Sequence, residues 1–150
     1  MKENLLDKLE RENLKIANFS KRVVAYLIDN IILSLIVFII FYDKLSLMDD
    51  YLEIAQFLGN FTTGFFLLHL IYHTLFTFMY GASLGKMACK IMILSEELLD
   101  KPNFIQSFAR SFVRELSGIA FMLGFAWALG NDLCKTWHDY AARTIVVDVA

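Results

Sequence analysis

The chain is poor in the features that punctuate or staple a soluble fold. Pro102 is its one proline in 150 residues, so its long apolar segments run without the residue that most often breaks a helix. Its two cysteines, Cys89 and Cys134, stand far apart with no CxxC and no Cys/His cluster. That excludes a disulfide framework and a zinc site, and both read as small buried apolar residues. Basic residues are dispersed and the net charge is only -2, which leaves no footprint for nucleic acid. There is no HExxH and no recognisable Ser/His/Asp arrangement, so neither an enzyme nor a cofactor is expected. "GASLGKMA", from Gly81, fails as a phosphate loop: three residues separate its glycines where four are needed, and Met87 follows the lysine.

What the chain has is hydrophobicity. Hydrophobic residues make up 57% and aromatics 15%, mean hydropathy is +0.52, and about 45–50% apolar is usual for soluble domains. An all-α integral membrane protein follows. Residues 1–18 read as a charged cytoplasmic segment, a short surface helix around Leu5, Leu6, Leu9 and Ile16. It is not a cleavable leader, because the apolar run after it is too long. The membrane domain is residues 19–150. "VVAYLIDNIILSLIVFIIFY", residues 23–42, covers about 30 Å as a helix and forms the first span. Ile54 to Tyr80 holds no charged residue, and its 61–80 part is the second span. A third run, 116–134, carries Gly118, Gly124 and Gly130 and ends in the polar "GND". It either spans or bends back as a re-entrant segment.

Lysine and arginine set the orientation. Residues 1–22 hold six, the 43–53 connection holds Lys44 alone, and 81–115 hold five, which puts the N-terminus and the second connection in the cytoplasm. Within that connection "NFIQSFARSFVREL" places Phe104, Ile105, Phe108, Phe112, Val113 and Leu116 opposite Ser107, Arg110, Ser111 and Arg114. This is a cytoplasmic amphipathic helix, started by Pro102-Asn103 and lying in the interface. "KIMIL" and "RTIVVDV" are short Ile/Val runs able to pair as strands if both lie on one side, which favours the bent third run.

Four pieces in order, "FSKRVVAYLIDNIIL", "GASLGKMACKIMIL", "FARSFVREL" and "HDYAARTIVV", resemble the RDD family of small bacterial membrane proteins over about residues 19 to 148. The family's arginine and two aspartates map to Arg22, Asp29 and Asp139. Two positions depart from its pattern: Ser83 stands where Thr is usual, and Asn30 where aspartate or an apolar residue is. The resemblance implies a bacterial inner-membrane location and points to transport of a ligand or ion.

Asp29 carries the sharpest question. A carboxylate this deep in a span costs roughly 2.5 to 3.5 kcal/mol on insertion scales, so it needs a proton, a cation or a water pocket. It is either the ionisable centre of a proton or cation site, or half of a structural ion pair with Arg110, Arg114 or Arg143. Asp139 in "TWHDYAART" is a helix cap or surface pair with Arg143, or a partner of Arg22 or Arg110 at the cytoplasmic mouth. Lys86 faces the headgroups beyond a sharp exit at Gly81 and Gly85. His69 and His73, at i and i+4, are secondary candidates: polar glue between helices, aided by nearby threonines, rather than a haem or metal site. Two functions stand. One is a transporter or channel, possible proton-for-cation exchange included, centred on Asp29. The other is an accessory or assembly subunit whose Arg/Asp set fixes the fold. Three spans cannot enclose a polar path alone, so besides the lipid bilayer a homo-oligomer or a partner membrane protein is implied.

The charge count makes a direct demand on topology. A cysteine at position 49 should react with a membrane-impermeant reagent in intact cells and one at position 101 should not; the reverse pattern would sink the orientation.

Overall fold

The computed structural model describes residues 4–119 and 123–149. Its frame is two long helices, each grown past the apolar run that predicts it. α2, Phe19–Ser46, follows a short helix α1, Leu5–Arg11, and a two-residue strand β1, Lys15–Ile16. α3, Tyr51–Tyr80, begins ten residues before the expected span because nothing in 54–60 breaks a helix and the Asp50 side chain caps it, accepting from the Leu52 N–H at 3.2 Å. At 28 and 30 residues they are about 42 and 45 Å long, more than the hydrocarbon thickness. Far from the site the two helices meet through Phe41, edge-on to Phe57 and Phe61 at 5.3 and 4.8 Å.

Both helices are built inside out by the standards of a soluble protein. α2 buries Arg22, Ala25, Asp29 and Leu33 and exposes Val24, Leu27, Ile31, Leu35 and Ile39. α3 buries His69, Tyr72, His73, Thr74 and Thr77. The predicted amphipathic helix forms as α5, Phe104–Ile119, started by reciprocal bonds between Asn103 and Gln106. Its polar face, Ser107, Arg110, Ser111, Arg114 and Ser117, is the buried one, while Ile105 is 77% and Ile119 72% exposed. In water such apolar surface would be covered by a partner; against lipid it is already satisfied.

Among the described residues the third apolar run is divided into short pieces. α5 takes its first residues; 120–122 lie outside the described residues; then come a one-turn helix α6, Leu123–Ala126, and a 3-10 turn, Trp127–Gly130. Asn131 holds the exit by donating to the carbonyls of Trp127 and Lys135 and accepting from the Lys135 N–H. Among the described residues only α2 and α3 are long and apolar enough to cross a membrane. The chain returns through α7, Trp137–Ala142, which packs along α5, and ends the described fold in strand β3, Thr144–Asp148.

The all-α expectation needs amending, because these ends build a small sheet. β3 lies between β1 and β2, Ile91–Ser95, antiparallel to both, with Ile93 opposite Val146. The β2–β3 pair was expected from its Ile/Val runs. β1 was not, since two residues carry no period. Ala17, Ala25, Ile91, Ile93 and Val146 pack one core under the head of α2, and Leu9, Leu94, Ile145 and Val147 pack a second beneath α1. The cysteines lie at the margins, half-buried and free.

Val146 is fully buried at the centre of the middle strand. Val146→Ala should lower stability by about 2 to 3 kcal/mol, read as earlier chemical unfolding in detergent, with the helical content of the folded state retained.

Candidate functional site

The sequence GASLGK turns α3 into the site. Gly81 ends α3 in the left-handed region, φ 70°, with its N–H on the Thr77 carbonyl at 2.9 Å. Ser83 then opens a one-turn helix α4, Leu84–Ala88, which packs against α2. Asp29, fully buried, points at that turn: its carboxylate accepts from the Ser83 hydroxyl at 2.5 Å, the Gly85 N–H at 2.8 Å and the Tyr72 hydroxyl at 2.8 Å. Tyr72 in turn accepts from the Leu84 N–H at 3.1 Å. Gly85 is obligatory, because a methyl there would lie 2.9 Å from the Asp29 carboxyl carbon and collide with the Ala25 carbonyl. The ion-pair reading of Asp29 is corrected: among the described residues no Lys or Arg lies within salt-bridge distance, and three neutral donors compensate the acid instead.

Asp139 does hold the cations. Arg22 donates from Nη1 to Oδ2 at 2.8 Å and Arg110 to Oδ1, while Arg110 also reaches the Thr144 hydroxyl at 2.7 Å. The same carboxylate closes the N-terminus of α7, accepting from the Thr136 N–H at 3.0 Å in a capping box. Burial alone would raise the Asp139 pKa, but Arg110 and Arg22 outweigh it and hold the group well below the usual carboxylate range. The helix cap and the pairing with Arg22 and Arg110 are therefore combined in one side chain. Arg143 is not part of it. α7 stops at Ala142, Arg143 adopts a left-handed backbone, and its side chain lies exposed 3.8 Å from Glu97, a surface pair of little energetic value.

Between α2, α3 and α5 lies a cavity of about 210 Å³, lined by Tyr26 and Asn30, Phe65 and His69, and Arg114 and Glu115. The Arg114 guanidinium stacks over the Tyr26 ring at 5.1 Å. Glu115 stands 3.7 Å from both Arg114 Nη1 and His69 Nδ1, close enough for attraction and too far for a hydrogen bond. His69 and His73 are both buried, their rings 6.0 Å apart. Of the threonines on α3, Thr74 and Thr77 are buried and Thr62 and Thr63 exposed. Lys86 feels Arg110, Arg114, Asp29 and Asp139 together; burial, then the two arginines, push its ammonium down to about 7.

The sequence pattern of the RDD family matches residues 16–143. The chain belongs to the RDD family. No curated protein and no solved structure matches it. The RDD family is one of small membrane proteins, and the two long apolar helices fit that class. The residues assigned to its letters, Arg22, Asp29 and Asp139, are all buried here, yet they serve two separate centres. Arg22 and Asp139 join α2 to α7, and Asp29 fastens α4 to α2. Sequence reasoning missed Tyr72, Ser83, Asn30 and Glu115. Ser83 carried a signal: where the RDD pattern has Thr, this chain keeps the hydroxyl, and the hydroxyl is what Asp29 binds. Tyr72 carried one too, standing three residues from His69 on the polar stripe of α3.

Asp139→Asn keeps the shape but leaves the Arg22 and Arg110 charges uncompensated. Its expected cost is about 3 to 5 kcal/mol in detergent unfolding, part of it recovered when Arg22→Met removes one stranded charge. Because the folded pKa is depressed, the wild-type contribution is full above the ordinary carboxylate value. It is lost only as pH falls below that value toward the lower folded one.

Proposed function

We propose that this RDD protein is a multi-pass protein of the bacterial inner membrane that works in transport, as a homo-oligomer or with a partner membrane protein, and not as an enzyme. Its N-terminus, α5 and the sheet face the cytoplasm, as the Lys/Arg distribution favours. One observation carries the reading: beneath a shell of exposed apolar side chains Asp29 is fully buried, and His69, Arg114 and Glu115 line a cavity between α2, α3 and α5. An interior so costly to bury is built where an ion, a proton or a small polar solute must be met below the membrane surface. Asp29 is the ionisable centre of this reading, within the α2 span and linked through Tyr72 to α3. The cargo of this reading is a proton or a cation met by the Asp29 carboxylate, which holds no lysine or arginine among the described residues.

A second reading has its own support. Asp29 and Asp139 each accept from a backbone N–H at a helix start, Gly85 in α4 and Thr136 at α7. That is what residues do when they latch a cap onto a membrane hairpin, and an accessory or assembly subunit needs no more.

Flux assays in proteoliposomes separate the two. Under the transport reading, proton or cation flux driven by a pH gradient exceeds that of protein-free vesicles and collapses in Asp29→Asn, with expression and oligomer size retained. Wild-type flux in Asp29→Asn, or none above protein-free vesicles, leaves the latch as the function of the acid.

A further inference from the structure

The cavity between α2, α3 and α5 has a recognition chemistry that the transport reading leaves unnamed. Arg114 is buried, its side chain 7% exposed, and its Nη1 has no hydrogen-bond partner among the described residues. His69 Nε2 is likewise buried without one. A guanidinium taken out of water seeks a planar anion, and stacking on Tyr26 fixes its plane while leaving its edge to bind. Phe65, its ring 4.7 Å from the His69 ring, supplies an apolar wall. We propose that this cavity binds a small organic monocarboxylate, its head on the Arg114 guanidinium and the Asn30 amide and its apolar part against Phe65 and Tyr26.

Size and charge narrow the class. A cavity of about 150 Å³ holds benzene, so 210 Å³ admits about eight non-hydrogen atoms. One arginine offset by one glutamate cannot balance a doubly charged phosphate, and a metal cation would meet Arg114 as a repelling wall. Glu115 is the internal competitor, already drawn toward Arg114 but not hydrogen-bonded to it. Binding therefore favours a neutral Glu115, and burial, against the opposing pull of Arg114, raises its pKa in that direction. Besides Glu115, Arg114 interacts with His69, Tyr72 and His73 on α3, Asp29 and Tyr26 on α2, Lys86 on α4, Arg110 on its own helix and His138 on α7. The inference is independent of transport through Asp29, because it concerns occupancy alone.

Titration calorimetry on the purified full chain in an uncharged detergent tests it with propionate and benzoate as probes and chloride as the charge control. Saturable binding of at least one carboxylate is expected, tighter below the raised pKa of Glu115 than above it and weakened by at least about tenfold in Arg114→Gln. Glu115→Gln should bind more tightly and show a smaller pH dependence. Since Arg114→Gln is also open to misfolding, Asn30→Asp provides the second arm: it places a fixed carboxylate in the cavity, and should elute as a folded protein while losing the ligand. Chloride binding as well as the carboxylates, wild-type affinity in Arg114→Gln or Asn30→Asp, or no saturable binding of either carboxylate overturns the proposal. A wild type that binds propionate but shows no flux keeps the site and removes the transport reading.

Discussion

A charge taken out of water must be answered nearby, and in this protein one carboxylate answers two guanidiniums at once. Arg22 is at the head of α2, Arg110 is mid-way along α5, and Asp139 is in the first turn of α7; three elements that share no sequence neighbourhood are drawn to one point. Everything around that point follows from it. Thr144, which takes a second bond from Arg110, begins β3, so the sheet starts where the ion cluster ends. The head of α2 packs on that sheet through Ala25, and four residues further on Asp29 fastens α4 to the same helix. The desolvation cost of such a cluster is large and its net contribution to stability small, but removing one member is expensive, which makes it a strong selector of a single arrangement.

The inside-out helices extend the same logic to the solvent. Lipid gives no hydrophobic reason for two apolar faces to associate, so what brings α3 and α5 together is the polar stripe each would otherwise show to hydrocarbon. Small residues permit the approach: Ser107, Ser111 and Ser117 on α5 lie on the same buried face as Arg110 and Arg114. α5 thus presents phenylalanines outward and serines inward, the opposite of a helix on a water-soluble domain.

How much of this was readable residue by residue depends on whether a signal is local. The two spans were legible because twenty apolar residues say one thing at any register, but their ends were not, since Asp43, Lys44 and Asp50 to Glu53 are accepted by helices that run out past the hydrocarbon. The strands β2 and β3 showed in their Ile/Val runs. α5 was legible as an amphipathic helix, and its orientation, polar face inward, depended on what packs against it. The partners of Asp29 lie 43 and 54 residues away and are neutral, so no charge-matching argument finds them. The local pairing of Asp139 with Arg143 fails because α7 ends at Ala142 and the left-handed backbone at Arg143 turns its side chain to solvent. The cavity was illegible, being made by three helices meeting side by side.

The separation between Arg22 and Asp139, 117 residues, also sets a timetable. A ribosome adds roughly 5 to 20 residues each second, so Arg22 reaches the membrane on the order of ten seconds before its carboxylate exists. In that interval the guanidinium at the head of α2 is without the carboxylate that holds it in the finished fold, so the first helix can be fixed to the rest only after α7 has been made.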